Sequence, residues 1–174
     1  MADKFRGKYR ISSARLQSWD YASCGTYFVT VCTRMHVHFF GRVMNNEMVL
    51  NDLGKHVENE WVKTPEIRPD MNLELGVFVV MPNHFHGIIT IGGNAYNKTY
   101  RKNQFAPQSK NLASIMRGFK SSVTTFALKT GISDFEWQGR YHEHIVRDTE
   151  SFIRIQNYII ANPENWDTDT FNNE

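Results

Sequence analysis

The feature that most constrains the fold of this chain is a pair of apolar segments joined by a two-residue turn. Residues 73–81 and 84–91 are rich in aliphatic and aromatic side chains, and only Pro82 and Asn83 lie between them. Both segments predict buried strands, and so short a connection favours antiparallel pairing, because parallel strands need a long crossover. The chain is therefore expected to contain an antiparallel sheet built around this hairpin.

Helices are predicted on both sides of the hairpin, together with further strands. The clearest helix covers residues 112–130, where apolar residues recur with a helical period between Asn111, a suitable N-cap, and Gly131. The other predicted elements are a strand at 27–33, a hairpin at 38–50, a helix from Asn51 to Lys63, a strand at 135–146 and a helix from Asp148 to about Ile160. This mixture, with short connections between strands, places the chain in the α+β class.

Composition indicates one globular domain that works in a reducing compartment. The chain has 174 residues, of which 41% are hydrophobic and 22% charged, so a full core is possible without disulfides. No apolar run is long enough to span a membrane, and residues 1–8 lack a secretory signal. Residues 1–20 are expected to form a basic arm and residues 21–174 a single domain, with its two cysteines reduced in the cytoplasm.

Charge is distributed unevenly along the chain, although the net charge is only +2. No acidic residue occurs between Glu74 and Asp134, whereas that interval carries Lys98, Arg101, Lys102, Lys110, Arg117, Lys120 and Lys129. The arm adds Lys4, Arg6, Lys8, Arg10 and Arg15. Such segments fit either a surface for a polyanion or an ordinary solvated basic face, and charge alone does not decide between them.

The chemically most informative residues are two histidines on the second strand of the hairpin. In His84-Phe85-His86 the imidazoles point to one side of the strand, while Phe85 points to the other and can enter the core. Two neighbouring imidazoles form half of a site for a divalent metal ion. Histidines in this pattern are also common as structural or exposed residues, so the pair alone predicts little, and neither imidazole is assigned to the core.

A second candidate pair lies on the last helix. Tyr158 and Asn162 are four residues apart, so their side chains lie one turn apart on the same helix face. Tyr158 offers a phenol and Asn162 an amide oxygen. The alternative is that Tyr158 packs on the sheet and Asn162 caps the helix before Pro163.

Together these segments resemble a known family. Residues 80–87 (VMPNHFHG), 137–141 (WQGRY) and 158–163 (YIIANP) occur in this order, and from about Tyr27 to Pro163 the chain resembles the REP-associated tyrosine transposases, single-tyrosine enzymes of the HUH class. The resemblance implies a ferredoxin-like fold with a central antiparallel sheet. It further implies that His84, His86 and Asn162 bind a metal ion and that Tyr158 is the nucleophile.

The reaction implied by this resemblance is cleavage of single-stranded DNA near a hairpin through a 5′-phosphotyrosine link, with no ATP. The donor types fit Mg²⁺ or Mn²⁺, and Zn²⁺ is also compatible with them. DNA contacts are expected from Arg6, Lys8, Arg10, Arg15, Arg117 and Lys120, and support of the active site from His142 or His144. The enzyme would act in the bacterial cytoplasm, without a membrane, as a monomer or homodimer.

Three alternatives remain open at the level of sequence. A histidine-triad nucleotide hydrolase also has alternating histidines on a strand, but the third alternate position here is Ile88. A more serious alternative is a non-catalytic, domesticated relative that binds hairpins and regulates, although all four active-site positions are filled in this sequence. A purely structural module would leave the joint occurrence of the two motifs unexplained.

Overall fold

The computed structural model describes residues 19–98 and 109–172. The elements in chain order are β1 (Gly25–Cys32), β2 (Gly41–Met44), β3 (Glu47–Leu50), α1 (Asp52–Val62), α2 (Thr64–Ile67), β4 (Leu73–Val80), β5 (His84–Ile91), α3 (Leu112–Lys129), β6 (His142–Val146) and α4 (Thr149–Ile160). Short 3₁₀ turns cover Arg34–His36, Pro69–Met71 and Trp166–Thr168.

The main sheet has four strands in the spatial order β4-β5-β1-β6, and every neighbouring pair is antiparallel. Helix α1 lies in the chain between β1 and β4, and α3 lies between β5 and β6. This is the arrangement of a ferredoxin-like α+β fold, so the predicted class is confirmed. The small β2–β3 hairpin is inserted between β1 and α1 and turns at Asn45 and Asn46, both with positive φ, which suits a tight hairpin turn.

The sheet carries helices on both faces. On one face, α1 and α3 cover the larger core, in which Trp61, Phe85 and Phe119 are buried against one another. On the other face, α4 buries Ile155 and Ile159 against Ile88 of β5. Because β5 is central and covered on both sides, seven of its eight residues are buried. The prediction that Phe85 enters the core is confirmed.

Three predicted helix starts are confirmed by their caps. The side chains of Asn51, Asn111 and Asp148 each accept a hydrogen bond from the backbone N–H three residues later, at 2.9, 3.0 and 2.7 Å. These bonds satisfy backbone donors that the first turn of a helix leaves unpaired. Gly131, just past α3, has a φ of +87°, as expected for a residue that ends a helix.

The prediction of one strand over 135–146 was wrong in its first half. Only His142–Val146 forms β6, and Trp137 makes an isolated bridge with Thr33. The intervening carbonyls of Gln138 and Arg140 accept hydrogen bonds from the Lys120 ammonium at 2.6 and 3.4 Å. The Gln138 N–H still donates to the Cys32 carbonyl of β1 at 2.9 Å, so pairing with β1 is interrupted over residues 139–141 and resumes before them.

Several of the basic residues singled out in the sequence lie outside the described residues, namely Arg6, Lys8, Arg10 and Arg15 of the arm and Arg101 and Lys102 of the basic interval. Within the basic interval, Lys110 pairs with Asp70, so one of its charges is neutralised locally. Among the helices in 19–98 and 109–172, none is long and apolar enough to cross a bilayer.

The close approach of α1 to Phe40 yields a prediction about stability. A Cβ on Gly54 would lie 2.1 Å from the Phe40 carbonyl oxygen, a backbone atom that cannot rotate away. We expect Gly54→Ala to lower the free energy of unfolding by about 1–3 kcal/mol, measured by urea denaturation. Gly139→Ala is the matched control, because a Cβ there meets no atom within 4 Å. Equal stability of the two variants would contradict this packing.

Candidate active site

Strand β5 presents both histidines on the face of the sheet that α4 covers. His84 lies opposite Cys32 and His86 opposite Thr30 in the β1–β5 register, and the two imidazole rings have centroids 4.5 Å apart. Their common direction follows from the two-residue period of the strand. The predicted pairing of the imidazoles is therefore present in the structure.

The burial of these imidazoles differs from the sequence-based expectation. His84 and His86 are 0% and 1% exposed, although neither was assigned to the core. Burial lowers the pKa of His84 to about 3, and it lowers the pKa of His86 well below its ordinary value, because a charged imidazole loses its hydration there. Both rings are therefore neutral near pH 7, the state in which an imidazole nitrogen can bind a metal ion.

This burial predicts a pH-dependent stability. In the unfolded chain His84 binds a proton below its ordinary pKa of 6.5, whereas the folded chain resists protonation down to about pH 3, so stability falls as the pH falls through that window. Between pH 6 and pH 4 the loss from this one group is about 2–3 kcal/mol. Between pH 6 and pH 4, the free energy of unfolding of His84→Gln should therefore fall by that much less than that of wild type. The measurement is urea denaturation with chelator present. Equal losses in both proteins would contradict the burial of a neutral imidazole.

The end of α4 brings the second candidate pair to the same place. Tyr158 lies in the last turn of the helix, and Asn162 follows the C-cap residue Ala161. Asn162 is only 2% exposed, and its side chain is directed at His84 rather than at the helix end. Tyr158 is 45% exposed, and its ring meets Phe28 edge-on at 6.2 Å.

The two pairs are in direct contact within one chain. The Tyr158 hydroxyl lies 3.3 Å from Nε2 of His86, and Oδ1 of Asn162 lies 3.3 Å from Nε2 of His84. Two side chains from β5 and two from the C-terminal end of α4 are thus grouped together. Burial raises the pKa of the Tyr158 phenol, and the nearby Asp169 carboxylate raises it further. The hydroxyl is therefore protonated at neutral pH unless a positive charge lies beside it.

Sequence reasoning missed the two residues that hold the other imidazole nitrogens. Nδ1 of His86 lies 2.8 Å from the Thr30 hydroxyl, and Nδ1 of His84 lies 2.8 Å from Oδ1 of Asn83. Thr30 could be found only from the strand register, whereas Asn83 directly precedes the histidine pair in the sequence. With both Nδ1 atoms engaged, the Nε2 atoms face Tyr158 and Asn162.

Sequence reasoning also missed two aromatic residues that follow α4. The Phe171 ring lies 4.7 Å from His84 and 6.0 Å from His86 between ring centroids, and Trp166 lies 6.0 Å from His84. These rings account for the near-complete burial of the imidazoles. The signal in the sequence is the presence of two large aromatic residues in an otherwise polar segment.

His142 and His144 lie on the same face of the sheet but farther along it. His142 is opposite Thr30 and His144 opposite Phe28, so His142 and His86 are separated by two strand spacings, about 10 Å. Both are exposed, and His144 lines a cavity of about 330 Å³ with Tyr21, Arg147 and Asp148. Their support of the site stays a prediction.

The two DNA-binding candidates on α3 lie in the helix layer opposite α4. Arg117 is exposed. Lys120 is half-buried, with its ammonium bonded to two carbonyls and 5.9 Å from the centre of the Trp137 ring. Lys120 therefore supports the 138–140 backbone, and the DNA contacts of both residues stay predictions.

The donor geometry fits a divalent metal ion. Neighbouring ligands of an octahedral ion with bonds of about 2.1 Å lie about 3 Å apart, close to the 3.3 Å between His84 Nε2 and Asn162 Oδ1. In the described ranges no three His, Cys, Asp or Glu side chains group together as a metal site. The oxygen that lies next to the imidazoles is Oδ1 of Asn162, which could serve as a third donor. Two nitrogens and one oxygen suit Mn²⁺ or Zn²⁺, and Mg²⁺ less strongly.

Comparison with known proteins shows a relative that is similar along nearly the whole chain. No protein-family model matches the chain. A Haemophilus influenzae protein (strain ATCC 51907 / DSM 11121 / KW20 / Rd), named only as an uncharacterized protein, is 38% identical over 170 residues, covering 94% of this chain and 93% of the relative. The chain belongs to the family of that protein. The name of this relative carries no information about its function.

A solved structure with the same fold is that of a REP-associated tyrosine transposase bound to a REP hairpin. It superposes with a TM-score of 0.58 at 22% sequence identity and covers 90% of this chain and 74% of that one. The similarity at this level of identity establishes a shared fold. It agrees with the ferredoxin-like sheet described above.

Proposed function

We propose that the protein is a metal-dependent, single-tyrosine DNA strand transferase of the HUH class that cleaves and rejoins single-stranded DNA beside a hairpin. The observation that carries this proposal is the contact at 3.3 Å between the Tyr158 hydroxyl and His86, residues 72 positions apart. The shared fold with a transposase bound to a REP hairpin supports the same conclusion. Neither a structural module nor a histidine-triad hydrolase requires a tyrosine at that position.

In this reaction Tyr158 attacks a phosphodiester. The bond from the phenolic oxygen to phosphorus forms while the bond from phosphorus to the 3′ oxygen breaks, and the proton lost by the phenol balances the one gained by the 3′ oxygen. The products are a 5′-phosphotyrosine and a free 3′-hydroxyl. Because the phosphodiester is exchanged and not hydrolysed, the 3′-hydroxyl can reverse the step without ATP.

The surrounding residues prepare Tyr158 for this attack. A divalent ion bound by His84, His86 and Asn162 would supply positive charge that stabilises both the phenolate and the scissile phosphate. Phe28 orients the phenol ring by its edge-on contact. Tyr158 is 45% exposed, so an incoming strand can reach its side chain.

The proposed substrate is a hairpin with adjoining unpaired DNA, in the bacterial cytoplasm. Binding would draw on the basic arm, through Arg6, Lys8, Arg10 and Arg15, and on Arg117. Lysine and arginine neutralise phosphates, so binding should weaken steeply with added salt. All four site residues come from one chain, so a monomer is sufficient for the chemistry that we propose.

The test uses one hairpin oligonucleotide labelled separately at each end. With Mn²⁺ or Mg²⁺, the 3′-labelled strand should become attached to protein in denaturing gels, and the 5′-labelled strand should be released with a free 3′-hydroxyl. Chelator should prevent both. Tight binding of the hairpin without any adduct would instead identify a non-catalytic DNA-binding regulator.

A further inference from the structure

We infer that Asn83 is a positioning residue that holds His84 as its Nδ1–H tautomer and thereby turns the Nε2 lone pair toward Asn162. The consequence for metal binding rests on the proposed function. The tautomer itself does not, because it follows from hydrogen bonds within the protein.

The side chain of Asn83 is fixed in one orientation. It is 0% exposed, and its Nδ2 donates to the backbone carbonyls of His36 and Phe171 at 3.0 and 2.7 Å. Rotating the amide by half a turn would set its oxygen against those two carbonyl oxygens. Oδ1 must therefore be the atom that lies 2.8 Å from Nδ1 of His84.

This orientation decides where His84 carries its proton. An amide oxygen only accepts hydrogen bonds, so Nδ1 of His84 must be the donor. A neutral imidazole has a single N–H, which leaves Nε2 with a lone pair. Nε2 lies 3.3 Å from Oδ1 of Asn162, an unfavourable approach of two acceptors that is relieved either by a cation between them or by a half turn of the Asn162 amide.

His86 has no equivalent constraint. Its Nδ1 faces the hydroxyl of Thr30 at 2.8 Å, and a hydroxyl can donate or accept, so either tautomer of His86 is compatible with that contact. Asn83 therefore fixes the direction of only one of the two imidazoles. The partners of metal-binding histidines usually act in this way, and their loss typically weakens metal binding 10- to 100-fold.

The test begins with ¹⁵N NMR of histidine-labelled, metal-free protein. In wild type, His84 should show the Nδ1–H pattern. Asn83→Ala should shift His84 toward the Nε2–H tautomer and weaken Mn²⁺ binding about 10- to 100-fold. Asn83→Asp keeps an oxygen toward His84 but loses the amide donors, so it should be less stable than wild type yet retain the Nδ1–H tautomer.

Asn111→Ala is the matched control, because it removes another buried amide, the N-cap of α3 on the opposite face. It should lower stability without changing the His84 tautomer or Mn²⁺ affinity. An Nε2–H pattern for His84 in wild type would overturn the inference. An Asn83→Ala protein that keeps the Nδ1–H pattern and wild-type Mn²⁺ affinity would also overturn it. If the alanine variant does not fold, an Asn83→Asp protein whose His84 shifts to the Nε2–H pattern would do the same. A wild type with Nδ1–H but no Mn²⁺ binding would refute the metal site while leaving the positioning role established.

Discussion

Tyr158→Phe is expected to abolish the covalent protein–DNA adduct and to reduce strand cleavage by at least about 10³-fold, the scale on which loss of a nucleophile acts. Hairpin binding should stay within about twofold of wild type. Phenylalanine keeps the ring that contacts Phe28 edge-on and removes only the hydroxyl beside His86. The measurement is the yield of adduct and of free 3′-hydroxyl strand under single-turnover conditions.

Tyr96→Phe is the matched control for this substitution. The Tyr96 hydroxyl donates to Asp70 at 2.7 Å, in the loop that follows the far end of β5 from His84. It should cleave and bind as wild type does. A Tyr158→Phe protein that forms adduct at the wild-type rate would show that another residue is the nucleophile.

The second large effect is expected from His86→Gln. Glutamine keeps a polar side chain of similar length, whereas alanine would leave a cavity, because His86 is 1% exposed. Loss of one of two imidazole donors should reduce metal-stimulated cleavage by roughly 10²- to 10³-fold, the range seen when a group that stabilises transition-state charge is removed. Mn²⁺ affinity, measured by calorimetry, should fall in parallel.

His56→Gln controls for the loss of a histidine elsewhere in the fold. His56 stacks on Phe126 at 4.0 Å between ring centroids, in the helix layer on the other face of the sheet. Its replacement should leave Mn²⁺ affinity and cleavage unchanged. If His86→Gln retained full metal-stimulated cleavage, the paired imidazoles would not be the metal site.

Local patterns predicted most of the fold. The caps at Asn51, Asn111 and Asp148 and the hairpin turn at Asn45 and Asn46 depend on neighbouring residues only, so the sequence carries them directly. Residues 138–141 could not be predicted in this way. Their backbone is drawn to Lys120, a contact between segments that are distant in sequence.

The two residue pairs of the candidate site were predictable from the sequence, whereas their burial and their hydrogen-bond partners were not. The strand period shows that His84 and His86 point together, and the helix period shows the same for Tyr158 and Asn162. The burial of the imidazoles depends on Phe171 and Trp166, which are distant in sequence. The role of Thr30 depends on the register between β1 and β5, and the role of Asn83 depends on the conformation of the turn between β4 and β5. The contact between the histidine pair and the Tyr158–Asn162 pair was implied by the family resemblance, because the strand and helix periods do not predict which elements meet.

The central claim is that two imidazoles and one amide oxygen hold an ion against the Tyr158 hydroxyl. A crystal structure of the wild-type protein soaked in Mn²⁺, with anomalous scattering to locate the ion, tests it most directly. We expect one strong peak bonded to His84 Nε2, His86 Nε2 and Asn162 Oδ1 of the same chain, facing the hydroxyl of Tyr158. It would be contradicted by an absent peak at a Mn²⁺ concentration that supports cleavage, or by an ion held by other residues.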